Sequence, residues 1–477
     1  MLFYSIYMKL IKGIVSAYVF LLLAHLSQAQ TLAFPGAEGF GKFTKGGRGG
    51  KVYVVTNLND SGPGSFREAA EAKHPRIIVF NISGTIHLNS RLNISKNATI
   101  AGQSAPGDGI CIADHPVSLA GDNIIMRYMR IRMGDRYQNK GMVDGAGSDD
   151  ALSGSRKKNI IIDHCSLSWS TDEVMSIYGG DSTTFQWNLI AEPLNYSYHF
   201  EEGDKDFENH GYGGIWGGSA LSAHHNLFAH CVSRTPRFNG ARLGASDELV
   251  DFRNNVIYNW KHNNVYGGEG GFYNVVNNYY KPGPNTSKSV KSRVLNPTKP
   301  GKNKAYGKFY VAGNFVYGDT ETSKNNILGV HFDKSASPQD KDTVLIDKPF
   351  EVLPLPDIAA ENAYQRILKY VGASFSRDTL DKRLIEDVIQ GKGKVIDVQG
   401  GYPHGTDYEI SKTAWPVFKK YTPYTDSDND GIPDHWEKAN GLNPKDASDA
   451  VKFDIKGSGY TNIELYLNSL VDEKKRK

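Results

Sequence analysis

The feature that most constrains this chain is a strand-like segment that recurs and ends in asparagine. It is seen in Asn159-Ile-Ile-Ile-Asp-His-Cys165, Thr184-Phe-Gln-Trp-Asn-Leu-Ile190, Ser222-Ala-His-His-Asn-Leu-Phe228, Val250-Asp-Phe-Arg-Asn-Asn-Val-Ile257 and Tyr273-Asn-Val-Val-Asn-Asn-Tyr-Tyr280. Aligned on Cys165, Asn188, Asn226, Asn255 and Asn278, the segments are 23, 38, 29 and 23 residues apart. The short intervals set one coil, and the longer ones are coils carrying loop insertions. A fixed period with variable insertions is the mark of a solenoid, whose coils bury their apolar faces only by stacking. Alternation within each segment is strand-like. Asparagine after each strand suits a left-handed turn, with its amide bonded to the same position one coil up. The fold expected is all-β: a right-handed parallel β-helix with capping helices and a C-terminal calcium-loop segment. A propeller fits less well, because paired hairpins are missing.

Fifty glycines and the scarcity of helical periodicity before about residue 357 agree with many short strands joined by tight turns. Ser65-Phe-Arg-Glu-Ala-Ala-Glu-Ala72 reads as a capping helix, with Ser65 as N-cap and Glu68 at N3. Residues 357–371 and 376–389 carry helical spacing, and Gly372 and Gly391 follow them as C-terminal caps. The expected division is a leader at 1–29, a β-helix at 30–345, a helical and extended segment packed on it at 346–420, and a calcium loop with a closing helix at 421–477.

Lys9 and Lys12, the apolar run Ile14–Leu26, and Ser27 and Ala29 form a signal-peptide layout, with cleavage expected after Ala29. The run is too short for a membrane span. Export places the protein outside the cytoplasm: secreted, periplasmic or on the cell surface. The formal charge of +3 gives no field for nucleic acid. Cys111, Cys165 and Cys231 are too few and odd in number for a disulfide framework, and read as buried small hydrophobes.

Residues 426–437 read Asp-Ser-Asp-Asn-Asp-Gly-Ile-Pro-Asp-His-Trp-Glu. Asp426, Asp428, Asp430, Ile432 (through its carbonyl), Asp434 and Glu437 occupy ligand positions of a twelve-residue calcium loop, and Gly431 sits at its bend. Calcium takes six to eight hard oxygens, which alternate acids in a turn supply. No helix precedes the loop, so the segment resembles dockerin and thrombospondin type 3 repeats more than an EF-hand.

Three further stretches carry chemistry: Gly147-Ser-Asp-Asp-Ala-Leu152, Ile160-Ile-Ile-Asp-His-Cys-Ser-Leu-Ser-Trp-Ser-Thr-Asp-Glu173 and Ala229-His-Cys-Val-Ser-Arg-Thr-Pro-Arg237. With a coil near 23 residues, Asp150 and Asp172 stack on one face, half a calcium site. Arg234 and Arg237 follow some coils later. His224, His225 and His230 do not read as a metal site, because adjacent strand side chains point to opposite faces.

The segment from Ile161 to Ser170, with Asp172, resembles the signature of polysaccharide lyase family one, the pectate lyases. Ser233-Arg-Thr-Pro-Arg237 resembles that family's arginine–proline segment. Ala33-Phe-Pro-Gly-Ala-Glu-Gly-Phe40, Gly46-Gly-Arg-Gly-Gly50 and Thr99-Ile-Ala-Gly-Gln-Ser-Ala-Pro-Gly107 are similar to its secreted microbial members. The resemblance runs over about residues 33–470. It implies calcium-dependent β-elimination on polygalacturonate by a monomer, with Ca2+ on Asp150 and Asp172 and with Arg234 as base.

The chain departs from the pattern in three places. Ser176 stands where a further calcium acid is expected, leaving Asp149 or Glu173 to substitute. Asn239 replaces a second arginine, leaving Arg237 or Arg242 to bind substrate carboxylates. The substrate lysine has no counterpart, and Lys205 and His210 are the candidates. A β-helix polygalacturonan hydrolase and a non-catalytic pectin-binding protein are the alternative readings.

Overall fold

The computed structural model describes residues 30–471 except 138–139, 143–148, 245–246, 300–304, 334–335, 420 and 455–456. The leader at 1–29, and Gly147 and Ser148, lie outside the described residues. The chain winds into a parallel β-helix of three sheets. The first sheet runs from Lys51–Val55 through Arg76–Phe80, Ala98–Ala101, Ile124–Arg127 and Lys158–Asp163 to Lys308–Ala312. The second runs from Gly84–His87 to Phe315–Val316. The third runs from Leu92–Ile94 to Asn296–Pro297. The long strand Met175–Gln186 serves the third sheet with its first half and the first sheet with its second. Such parallel crossovers wind right-handed.

Register in the first sheet repeats the spacing read from the sequence. Ile160 pairs with Thr183, Thr183 with Leu221, Leu221 with Val250, and Val250 with Tyr273. The reason is the asparagine ladder that follows this sheet. The Cys165 N–H donates to Asn188 Oδ1 at 3.0 Å. Asn188 donates through both its N–H and its Nδ2 to Asn226 Oδ1, at 3.0 Å each. The pattern continues through Asn255, Asn278 and Asn314 to Asn326. The left-handed residue is not the ladder asparagine, as expected from sequence, but the one before it: His164, Trp187, His225, Asn254 and Asn277 have φ of 52–59°. That turn swings the following amide into the core, where it replaces a strand's backbone partners. It also brings the His224 and His225 rings together, Nδ1 to Nδ1 at 2.9 Å, and so breaks the alternation that predicted opposite faces.

Asn226→Leu keeps the branched shape of the side chain and removes the rung. It orphans the Asn188 N–H and the Phe185 carbonyl, which Asn226 Nδ2 meets at 2.9 Å. At about 1–3 kcal/mol per buried orphan, we expect a loss of about 2–5 kcal/mol in urea unfolding.

Each sheet's outer face is treated differently. The first is covered by the N-terminal residues Ala33, Phe34 and Ala37 against Ile125 and Ile161, and by the C-terminal segment against Ile77 and Val79. Burial on both faces explains the unbroken apolar run at 77–80 within the strand Arg76–Phe80. The second is covered by helices Ala360–Tyr370 and Thr379–Gln390, whose Tyr364, Ile367, Leu384 and Val388 pack on Leu189, Leu227, Val256 and Tyr279. Asp378 and Asp381 fasten the second of these helices to the buried Arg130 and Arg132, at 3.1 Å from Arg130 and 2.9 Å from Arg132. The third sheet carries no helix on its outer face among the described residues. All three cysteines are free and buried. No helix is long and apolar enough to cross a membrane among the described residues.

Candidate active site

The uncovered third sheet is preceded, coil after coil, by one turn that collects charged residues. Asp149 and Asp150 lead into Leu152–Ser155, Asp172 and Glu173 into Met175–Gln186, His210 and Tyr212 into Ile215–Gly218, and Arg234 into Arg237–Phe238. The stacking is one residue off the expected register. Leu152 pairs with Met175, so Asp150 lies against Glu173, whose N–H it accepts at 3.0 Å, and Asp149 against Asp172. Tyr212 bridges Glu173 and Ser233 across three coils.

Oxygens of Asp150, Asp172 and Glu173 all lie within 4.8 Å of one another. Arg234 enters this cluster from below and is ion-paired with Glu173. Its guanidinium lies 4.5 Å over the Tyr212 ring. Arg234 has φ of 56°, a left-handed setting for a bulky residue that costs about 1–3 kcal/mol and collects at functional sites. Its carbonyl receives the Gly214 N–H at 2.7 Å. A Cβ on Gly213 would stand 2.5 Å from that oxygen, so glycine is required there.

Burial, then Asp172 and Asp149, push the Asp150 carboxyl well above its ordinary range. Burial also raises Asp172, but the facing His210 imidazole reverses the sign and holds it low. Three crowded hard-oxygen donors, one of them driven toward protonation by its neighbours, are a set that a divalent oxygen-seeking cation suits. Calcium fits these residues.

The other expected residues are placed as follows. His210 joins the cluster, with Nε2 at 2.7 Å from Asp172 Oδ1. Asp149 sits beside it but pairs with Arg91. Arg237 is spent on Glu269 at 3.0 Å and on the carbonyls of Phe238 and Asn239. Arg242 is exposed over Tyr178 at 6.0 Å, and Lys205 is exposed in the loop before His210. Neither reaches the acid cluster. Ser176 is buried and accepts the Ile215 N–H at 3.0 Å, so it serves the sheet. Sequence reasoning missed Tyr212 and His199, because their roles come from insertions whose path no spacing encodes.

The C-terminal loop gathers Asp426, Asp428 and Asp430 on one side, and Asp430 with Glu437 and Asp449 on the other. Asp449 was not foreseen, for it lies beyond the twelve-residue motif. Both Asp428 oxygens, both Glu437 oxygens, Asp430 Oδ2 and Asp449 Oδ1 are buried with no hydrogen-bond partner. Six such oxygens gathered in one loop are costly without a cation, so this donor set also fits calcium. Asp434 is turned to Ser427, whose N–H and hydroxyl it accepts at 2.8 Å. Ile432 anchors its side chain among Ile77, Val79 and Ile463.

This is a parallel β-helix with an acid-and-arginine cleft beside its third sheet. No family model matches the chain. It is 36% identical over 473 residues to a probable pectate lyase C of Aspergillus fumigatus, covering 96% of this chain and 98% of that one. It is 35% identical over 462 residues to a probable pectate lyase C of Aspergillus terreus, covering 93% and 95%. Among solved structures, a Bacillus subtilis pectate lyase matches with a TM-score of 0.49 at 15% identity, over 73% of this chain and 99% of that one. A Bacillus sp. N165 pectate lyase in complex with trigalacturonate matches with a TM-score of 0.46 at 16% identity, over 71% and 98%. The chain belongs to the pectate lyase family, and is a polysaccharide lyase.

Proposed function

We propose that this enzyme cleaves polygalacturonate by calcium-dependent β-elimination, and that the cluster of Asp150, Asp172, Glu173 and Arg234 is its active site. The observation that carries this reading is the convergence of three carboxylates within 4.8 Å beside a single strained arginine. Calcium held by Asp150, Asp172 and Glu173 would neutralise the substrate's C6 carboxylate and acidify the C5 proton. Arg234 takes that proton. The C5–H electrons form the C4–C5 double bond, the C4–O bond breaks, and the leaving oxygen takes a proton from water. Glu173 is the counter-ion of Arg234 in the structure. Were Glu173 to give its charge to a bound cation, the guanidinium would lose that partner and its neutral form would cost less. Tyr212 keeps the guanidinium plane in place. Export by the 1–29 leader, and action as a monomer, belong to the same reading.

The test is ultraviolet absorbance of the unsaturated product on polygalacturonate, with calcium and with a chelator. A rise only with calcium supports the reading, and Asp150→Asn should lower it at least about tenfold at limiting calcium. New reducing ends without absorbance would mean hydrolysis, and neither signal from folded protein would mean a binding protein.

A further inference from the structure

A second donor set adjoins the acid cluster and differs from it in chemistry. Asp172, His199 and His210 each offer one ligand atom, and these atoms lie within 4.8 Å of one another. His199 is 6% exposed and His210 8%. His199 Nδ1 and His210 Nε2 are both buried and lack a hydrogen-bond partner. His210 Nε2 stands 2.7 Å from Asp172 Oδ1 as an ion pair, and His199 Nε2 lies 3.6 Å from Glu208 Oε2. The two rings lie 4.0 Å apart between centroids, at 32°.

Both histidines are fixed by backbone rather than left on a loose loop. The His210 N–H donates to the Asn195 carbonyl at 2.6 Å, and the Glu208 N–H to the His199 carbonyl at 2.8 Å. Tyr196 and Asn209 form an antiparallel bridge between them. The excursion that leaves the second sheet after Leu189–Ala191 is therefore tied back on itself by one antiparallel bridge and these backbone bonds. The two histidines form a wall of a cleft of about 710 Å3 whose rim carries Glu201 and Glu208.

One nitrogen from each imidazole and one carboxylate oxygen thus converge beside an open cleft. One ion would satisfy all three. Two imidazoles and one carboxylate, with room for water or a substrate oxygen, make a donor set for a first-row transition ion and a poor one for calcium, which takes oxygens. A tetrahedral zinc ion needs its donors about 3.3 Å apart, so atoms that lie within 4.8 Å of one another have to shift by about 1.5 Å or less.

We propose that Asp172, His199 and His210 form a site for a zinc-class divalent ion, separate in ligand type from the acid cluster but sharing Asp172 with it. An ion held there draws Asp172 away from Asp150 and Glu173. Zinc-class metals then compete with the acid cluster's own cation through that shared carboxylate. The site stands on its own geometry and needs no turnover of polygalacturonate.

The test uses the full chain in excess calcium, with Co2+ as the probe. One Co2+ should bind with an intense visible ligand-field band that Zn2+ displaces. His199→Gln and His210→Gln should each weaken binding by at least about thirtyfold. Asp150→Asn, which lies in the acid cluster and is not one of the three proposed ligands, should keep the band. Absence of the band in wild type, or an unchanged affinity in both histidine variants, overturns the site. Should a variant fail to fold, a zinc-soaked wild-type crystal decides. An anomalous peak between His199, His210 and Asp172 supports the proposal, and peaks only elsewhere reject it.

Discussion

Arg234→Ala is expected to lower the rate of unsaturated-product formation about a thousandfold, in the middle of the range for loss of a general base. The substitution also leaves Glu173 buried without its counter-charge, which costs about 3–5 kcal/mol. Activity and stability therefore have to be read together. Arg234→Lys separates them. Lysine restores a positive charge to Glu173 but loses the planar fork that lies over Tyr212. Its melting temperature should return most of the way to wild type, while kcat stays down about a hundredfold or more and KM moves little. A lysine variant with near-native kcat would show that Arg234 supplies charge only. An alanine variant that keeps more than a tenth of the rate would remove it from the chemistry.

Chelation should unseat the C-terminal segment before the barrel. Removing a cation bound at a thousand times its Kd costs about 4 kcal/mol, and here the cost falls on one attached piece. Trp436 reports it, being packed edge-on to Tyr466 at 5.6 Å and bonded through Nε1 to Ser469, while Trp216 and Trp260 are buried within the β-helix. A chelator should shift fluorescence in a first transition at least about 5–10 °C below the main one, and Glu437→Gln should do the same in calcium. The pH dependence has a definite sign. Burial and neighbouring acids push Asp430 up to about 8 and Glu437 up to about 7. Raised carboxyl groups make the folded state hold protons that the unfolded chain has released. The cation-free segment therefore loses stability as pH rises from about 4 to about 8. The gap between calcium and chelator melts should widen from about pH 5 to about pH 8. A single transition, blind to chelator at both pH values, would sink the loop as a calcium site.

The coil register was legible because each ladder asparagine must meet the next, which leaves a spacing in the sequence. The helices on the second sheet were legible as well: the stretches at 357–371 and 376–389 fold as Ala360–Tyr370 and Thr379–Gln390, closed by Gly372 and the left-handed Gly391. The Ser65 cap differs in one detail, since Glu68 reaches back to the Gly64 N–H rather than to Ser65. What was not legible depends on loops. Whether Lys205 or His210 faces the acids is decided by how residues 192–214 return, and the return presents His210. The acid register slipped by one because Asp150 lies in a turn, where spacing no longer maps onto strand pairing. Arg237 lies in the right segment, but its guanidinium is already held by Glu269.

One contact sets the order in which this molecule can be completed. Arg48, just before the first coil, is ion-paired with Glu464 in the last helix, 416 residues away along the chain. Coil-on-coil pairing joins neighbours in sequence and can proceed as the chain emerges, from the amino end onward. The outer face of the earliest coil, by contrast, stays bare until the final residues arrive to cover Ile77 and Val79. Shortening the carboxyl end would therefore do its damage at the opposite terminus, leaving a fully wound spiral with an open, adhesive beginning.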